Sequence, residues 1–506
     1  MRIDPLAPPA GTVRDWLDHH AAHQGDRICY LFAETGDRLT WAELRDLAAD
    51  IAARLTGLGL QPGESIAQML PNGREAVLCL MGGLYGGFRV TAINLVAGAD
   101  AIAYALDHSQ ARFAFVGAAQ RPLFDQAGLA AIVALPVDGR VSWPVGSRAG
   151  ALHDISPGDD ALLMYTSGTT GRPKGVVHSQ ASLLAGGWTT TLAHDLSASD
   201  RALCILPVYH INGLCVTVIA PLVSGGSVAM CSRFSASRFW DQMAAMQATW
   251  FSAVPTIISH LLHGENGPSA ETRARVRFAR SASSALAVEV QRAFENRFEI
   301  PIVETMGLTE TAAQILSNPL PPGLRKIGSP GIAFGNQVAI IGPDLSPLAL
   351  GETGEIAVSG PNVMREYLKN PEATAETFTP DGWLRTGDLG RQDADGYVFV
   401  TGRLKELIIK GGENIAPREI DEVLYSHKQV VEAAAFARPC TRYGERVEAA
   451  VRLADGATVT TDELVRICED RLGSFKCPDM IHVLDELPKG PSGKIQRLKL
   501  AELTDA

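Results

Sequence analysis

The stretch Tyr165-Thr166-Ser167-Gly168-Thr169-Thr170-Gly171-Arg172-Pro173-Lys174-Gly175 constrains the fold more than any other part of the chain. It follows an apolar run of strand length, Ala161-Leu162-Leu163-Met164-Tyr165, and so joins a buried strand to a loop. Within that loop, three glycines, four hydroxyl side chains and Lys174 let backbone N–H groups and hydroxyls converge on an anion, with glycine supplying positive φ. This is a phosphate-binding composition. It is not a Walker A loop, which needs four residues between its first glycine and Gly-Lys-Ser/Thr; only two separate Gly168 from Gly171, and Gly175 follows Lys174.

At 506 residues the chain exceeds one core, so two to four folding units are expected. Hydrophobic residues at 46% and charged residues at 20% exclude wholesale disorder. A formal net charge of −11 argues against a general nucleic-acid binder, because phosphate would be repelled at long range. Any phosphorylated ligand must be held by local basic groups. The eight cysteines are scattered without Cys-x-x-Cys pairing, which points to neither a zinc site nor a disulfide framework and fits a reducing cytoplasm. His260 and His263, like His20 and His23, lie one helical turn apart but lack a third-ligand pattern. The first residues carry an early acid and no apolar signal core, and the last four are no peroxisomal address. Residues 202 to 232 contain no Asp, Glu, Lys or Arg, but Pro207, Gly213, Pro221, Gly225 and Gly226 divide them as a buried strand–helix–strand would be divided, not a membrane span.

Residues 13 to 110 read as helices alternating with apolar strands. Thr40 with Glu43 forms a capping box opening a helix through Leu58, and Pro71-Asn72 precedes a second helix. Strand-like runs recur at 66–70, 113–116 and 131–135. Such alternation implies an α/β fold with parallel, helix-covered sheets. After about residue 330 short alternating strands and turns suggest a small β-rich subdomain. A last unit begins near Arg403, with a strand at 407–409, a helix opening at Pro417 and strands near 431–437 and 447–453.

Five ordered elements between residues 165 and 495 together resemble the adenylate-forming superfamily of acyl-CoA synthetases, peptide-synthetase adenylation domains and beetle luciferase. The phosphate loop is the first. Glu304-Thr305-Met306-Gly307-Leu308-Thr309-Glu310 resembles the family's aromatic-Gly-x-Thr-Glu element, and Gly382-Trp383-Leu384-Arg385-Thr386-Gly387-Asp388 its Thr-Gly-Asp element. Gly402-Arg403-Leu404-Lys405-Glu406 looks like the interdomain hinge, and Pro488-Lys489-Gly490-Pro491-Ser492-Gly493-Lys494 the C-terminal lysine loop. The resemblance implies a large N-terminal domain over 1–402, with its β-rich subdomain at about 330–402, and a mobile α+β lid over 403–506. It also implies ATP, Mg²⁺ and CoA as cofactors, with a small-molecule carboxylic acid as partner. Oligomeric state is left open, a homodimer included.

Each element then carries an expected role. Making a thioester from a carboxylate requires activation as an acyl-adenylate, and the flexible ammonium of Lys494 can offset charge that builds on the α-phosphate. Thr309 would donate to that phosphate, and Glu310 is the expected Mg²⁺ ligand, since this ion needs only one or two protein carboxylates; Thr309-Glu310-Thr311 also reads as a helix start. Thr166, Ser167, Gly168, Thr169, Thr170, Gly171 and Lys174 would cradle phosphates, with Ser283, Met306, Gly307, Leu308, Asp388 and Arg403 completing the nucleotide site and Lys405 at the hinge. Met306 stands where the family usually has tyrosine; a thioether fills that space but cannot stack as a ring does.

For the acceptor, Lys410-Gly411-Gly412-Glu413-Asn414-Ile415 resembles the segment lining the pantetheine tunnel of free-standing CoA ligases, so Gly411 and Gly412 are expected at CoA. A stand-alone enzyme loading a carrier protein is the alternative, and a nucleotide sensor the third reading. The acyl site is expected at His210, Asn212, Gly213 and Ser281. Hydroxyls along Arg280-Ser281-Ala282-Ser283-Ser284 favour a small or polar acid over a long alkyl chain. Arg280 reads equally as partner of a second anion or as a strand-edge charge.

Overall fold

The computed structural model describes residues 4–166, 172–490 and 495–504. Local signals open the helices where the sequence places them. The Thr40 hydroxyl accepts from Glu43 N while the Glu43 carboxylate accepts from Thr40 N, and the helix Trp41–Gly57 follows. A cap of this kind is worth about 1 kcal/mol. Pro71-Asn72 precedes the helix Arg74–Gly86, whose side chains are almost all buried.

Two large sheets follow from the strand–helix alternation. In the first, among the described residues, Ser65–Met69 lies between Arg89–Ala92 and Phe113–Gly117, all parallel. Asp160–Tyr165 joins beside Arg89–Ala92 and turns back antiparallel into Gly175–Ser179. Outside it, at this edge of the sheet, lies Glu366–Tyr367, nearly two hundred residues further on. The second sheet has a parallel core: Ile28–Phe32, Ser227–Met230, Arg201–Cys204, Trp250–Ala253, Phe278–Ser281 and Ile302–Met306 in spatial order. Buried helices such as Gln180–Ala193 cover these sheets, so the strands read as continuous apolar runs.

The charge-free segment resolves into the strand Arg201–Cys204, a wide helical stretch Asn212–Ile219 continued by the helix Ala220–Ser224, and the strand Ser227–Met230. Among the described residues no helix is long and apolar enough to cross a membrane. The short strands after residue 330 form an antiparallel sheet of Gln337–Ile341, Gly354–Ser359, Leu384–Gln392 and Val398–Arg403. Beyond it, Val430–Cys440 and Gly444–Leu453 pair along their length, with the helices Pro417–Tyr425 and Thr461–Lys476 on that sheet.

Three local expectations change. The run at 131–135 enters its strand only at Val133, because Ile132 is still held in a turn to Leu129. Thr309–Thr311 is an isolated 3₁₀ turn and opens no helix, since Ala312 and Ala313 both take positive φ and reverse the chain. Arg280 is no strand-edge charge: its strand lies inside the sheet and the residue is 1% exposed.

Candidate active site

The strand Ile302–Met306 ends at the floor of a cleft, and Gly307 is required there. A Cβ on Gly307 would lie 1.2 Å from the Ala313 carbonyl oxygen, because the chain folds back on itself and Ile315 N bonds to Met306 O at 2.8 Å. The intervening turn is clamped from behind. Neutral His178, fully buried, donates from Nε2 to Thr309 O at 2.7 Å, and Asn362 donates to Thr311 O and Gln314 O at 2.8 and 2.9 Å. Burial pulls the His178 pKa down to about 4, so the imidazole stays uncharged at neutral pH and its Nδ1 can accept from Ser182. The turn is thereby fixed as a rigid presenter of Thr309 and Glu310.

The Glu310 carboxylate accepts from the Tyr367 hydroxyl at 2.7 Å, and the Lys174 ammonium sits 4.5 Å over the centre of the same ring. Burial and the neighbouring Glu310 hold the Tyr367 phenol above its ordinary pKa, so it remains a donor. Tyr367 thus links Lys174 to Glu310. It was not singled out in the sequence: it lies 57 residues from Glu310 with no local pattern, and only the pairing of Glu366–Tyr367 with Gly175–Ser179 brings the two together. His178 and Asn362 were missed for the same reason.

Met306, Gly307, Leu308, Ser283, Asp388 and Arg403 all border one cleft. Asp388 and Arg403 face each other across adjacent strands and pair at 2.5 Å, and Asp388 raises the Arg403 pKa further. Ser283 takes φ +76°, a left-handed conformation costing roughly 1–2 kcal/mol for a non-glycine residue, and its Oγ accepts from Asn212 at 3.4 Å. Glu304 also reaches this cleft. Its Oε1 accepts from Leu286 N at 3.2 Å, its buried Oε2 has no partner among the described residues, and burial raises its pKa. The opposite wall comes from the C-terminal unit, including Arg418, Glu422 and Arg497.

Other expected residues lie outside this cleft or outside the described chain. Ser281 is fully buried in its strand, its carbonyl accepting from Thr305 Oγ1, and does not border the cleft. Gly213 sits where a Cβ would meet Pro207 O at 2.1 Å, and His210 caps the preceding turn, its N bonding to Pro207 O with its ring edge-on to Tyr209. Gly411 and Gly412, with φ +61° and +88°, make the turn between Ile408–Lys410 and Glu413–Ile415; turn geometry alone requires glycine there. Lys405 lies in the 3₁₀ turn Leu404–Glu406 that connects the subdomain to the C-terminal sheet. Thr166 is placed, its N bonding to Lys174 O at 3.0 Å. Ser167, Gly168, Thr169, Thr170, Gly171 and Lys494 fall outside the described residues. Next to Lys494, Ile495 bridges to Lys489 and borders the cleft.

The Asp388–Arg403 pair borders the cleft together with Met306, Gly307 and Leu308, a set of polar and apolar groups that suits a nucleotide, while the Glu310–Tyr367–Lys174 group is not among its lining residues. The family description "AMP-binding enzyme" matches residues 17–368, and "AMP-binding enzyme C-terminal domain" matches 419–494. The chain belongs to the AMP-binding enzyme family. It is 46% identical to a sulfoacetate–CoA ligase of Cupriavidus necator, covering 95% of each chain, and 34% identical to an oxalate–CoA ligase of Arabidopsis thaliana, covering 92% and 93%. ATP-bound MatB from Rhodopseudomonas palustris superposes with a TM-score of 0.89 at 30% identity over 97% and 98% of the two chains. The Bacillus subtilis o-succinylbenzoate CoA synthetase with its acyl-adenylate gives 0.84 at 28% over 98% of each. The protein is accordingly an ATP-dependent, AMP-forming acid–CoA ligase. It joins a carboxylic acid to AMP with release of pyrophosphate, then transfers the acyl group to the CoA thiol with release of AMP.

Proposed function

We propose that this ligase activates a small, polar carboxylic acid, with the nucleotide held between Met306–Leu308 and the Asp388–Arg403 pair. The observation that carries this reading is the convergence of those residues on one cleft whose acyl-side neighbours, Asn212 and Ser283, are hydrogen-bonded polar groups. Asp388 accepts from the ribose hydroxyls and Arg403 contacts ribose or phosphate. Met306 packs on the adenine without stacking. Lys494 reaches the α-phosphate and Thr309 donates to it. Mg²⁺, when bound, neutralises phosphate charge; Glu310 fits it, since among the described residues its carboxylate takes one side-chain hydrogen bond, from the Tyr367 hydroxyl, and Arg403 feels its charge. Support for a small acid also comes from the relatives, whose names specify sulfoacetate and oxalate. The C-terminal unit from Arg403 onwards acts as a lid turning about Lys405, bringing Lys494 for the first step and Gly411-Gly412 for the second. A cytoplasmic setting is consistent with eight unpaired thiols.

Two measurements test this. Across a panel of acids with ATP, Mg²⁺ and CoA, those of about two to eight carbons, aromatic ones included, should give the highest kcat/KM; a preference for C14–C18 chains would overturn the small-acid reading. Lys494→Ala should lower adenylation by at least ~10²–10³ while sparing thioester formation from supplied acyl-adenylate. Equal loss in both half-reactions would assign Lys494 to the fold.

A further inference from the structure

Arg280 is a buried charged group that the nucleotide chemistry leaves unexplained. The strand Phe278–Ser281 runs inside the second sheet, and Phe278 stacks on Trp250 at 5.4 Å and meets the His194 ring at 5.0 Å. Two residues on, Arg280 projects to the same face of the sheet, and it is 1% exposed. A guanidinium in that position normally has a carboxylate against it, because an isolated buried charge is costly. Arg280 has none: among the described residues no Asp or Glu lies within ion-pair distance. Its Nη1 donates to Asn212 Oδ1 at 2.9 Å and to Ser252 Oγ at 3.1 Å, and its Nε has no partner. The titratable groups around it supply no anion either. Burial holds His194 neutral, far below its ordinary pKa, and keeps the Cys215 thiol protonated. Arg280 itself is pulled down to about 9 by burial, which still leaves it charged at neutral pH.

The same contacts connect this charge to the active site. Asn212 accepts from Arg280 with one end of its amide and donates to Ser283 with the other, and Ser283 borders the nucleotide cleft beside Met306 and Gly307. One amide side chain therefore separates the guanidinium from the cleft wall. An acid whose carboxylate reacts at the cleft and whose other end reaches Arg280 must be short.

We propose that Arg280, positioned by Asn212 and Ser252, pairs with a second anionic group on the substrate, so that the preferred acid is a short dianion whose second carboxylate or sulfonate is separated from the reacting carboxylate by no more than two carbons. This rests on the small-acid ligase reading and narrows it. A planar fork of donors suits either a carboxylate or two oxygens of a sulfonate, whereas a monoanionic acid of equal length leaves the buried charge unpaired.

The test uses the full-length protein with ATP, Mg²⁺ and CoA, and follows AMP release for oxalate, malonate and sulfoacetate against acetate, propionate and butyrate. The wild type should favour its best dianion over the monoanion of matching length by about 10²-fold or more in kcat/KM, the scale of a desolvated charge-assisted pair. Arg280→Met should lose at least about 10²-fold on that dianion while the monoanions hold or gain, and Arg280→Lys should fall between. Removing an unpaired buried charge should leave the Tm of Arg280→Met unchanged or higher. The best dianion should raise the Tm of the wild type and not that of the Met variant. A parallel loss on dianions and monoanions would make Arg280 a structural residue and overturn the proposal. Should Arg280→Met not fold, the Arg280→Lys selectivity and the wild-type Tm shift decide. Thioester formation confined to short monoanions would overturn the role of Arg280 and leave the small-acid reading standing; activity only on long-chain acids would overturn both.

Discussion

At the scale of single residues, the site depends on groups that touch no reacting atom. Tyr367 holds Glu310 by one hydrogen bond and carries Lys174 on its ring. Tyr367→Phe removes the first contact and keeps the second, so adenylation should fall about 10-fold, the size of one hydrogen bond to a charged group, with Tm nearly unchanged. Tyr367→Ala should fall further. Equal pyrophosphate exchange in wild type and the Phe variant would show that Glu310 needs no such support. Gly307→Ala has a different outcome, because its Cβ would overlap the Ala313 carbonyl. The turn carrying Thr309 and Glu310 must then move, and pyrophosphate exchange should drop by at least ~10²-fold; an active Gly307→Ala enzyme would contradict so close an approach of the Ala313 carbonyl.

Among the elements, the ones with local causes were legible in the sequence. The capping box at Thr40 and Glu43 opened its helix as expected, and the alternation of apolar runs with helices gave the two large sheets. What the sequence did not disclose depends on pairing between distant segments: Tyr367 beside the strand Gly175–Ser179, and His178 and Asn362 behind the Thr309 turn. The Thr309–Thr311 turn itself was misread as a helix start because hydroxyl and acid at a helix N-terminus look identical to the same residues in a 3₁₀ turn. Roles for Asp388, Arg403, Lys405 and Lys494 came from family resemblance, since a Thr-Gly-Asp turn or a lysine on a Gly/Pro loop says little alone. The Leu404–Glu406 turn is the element where the proposed lid motion concentrates. Lys405→Pro fixes φ near −65° and restricts Leu404 as well. Pyrophosphate exchange should persist while CoA-dependent turnover is lost, measured on the same preparation. Unimpaired thioester synthesis would rule out motion at this turn.

For the whole molecule, buried neutral histidines tie stability to pH. His20, which bonds through Nε2 to Leu222 O, and His178 both have folded pKa values lowered to about 4, mainly by burial. Unfolded chains protonate these rings near 6.5 while the folded protein does not until near 4, so the unfolded state binds more protons across that window. Stability should therefore fall as pH drops from about 6.5 towards 4, by about 2 kcal/mol per histidine at pH 5. Chemical denaturation at pH 7 and pH 5 reads the difference; a flat profile would mean that these rings are solvated. The edge pairing of Gly175–Ser179 with Glu366–Tyr367 has a further consequence, for the order in which the protein comes into being. During synthesis the strand Gly175–Ser179 leaves the ribosome with its outer edge bare, and its cover follows only after nearly two hundred more residues have been translated. Until then the nascent chain carries an open strand of the kind that recruits chaperones or neighbouring chains.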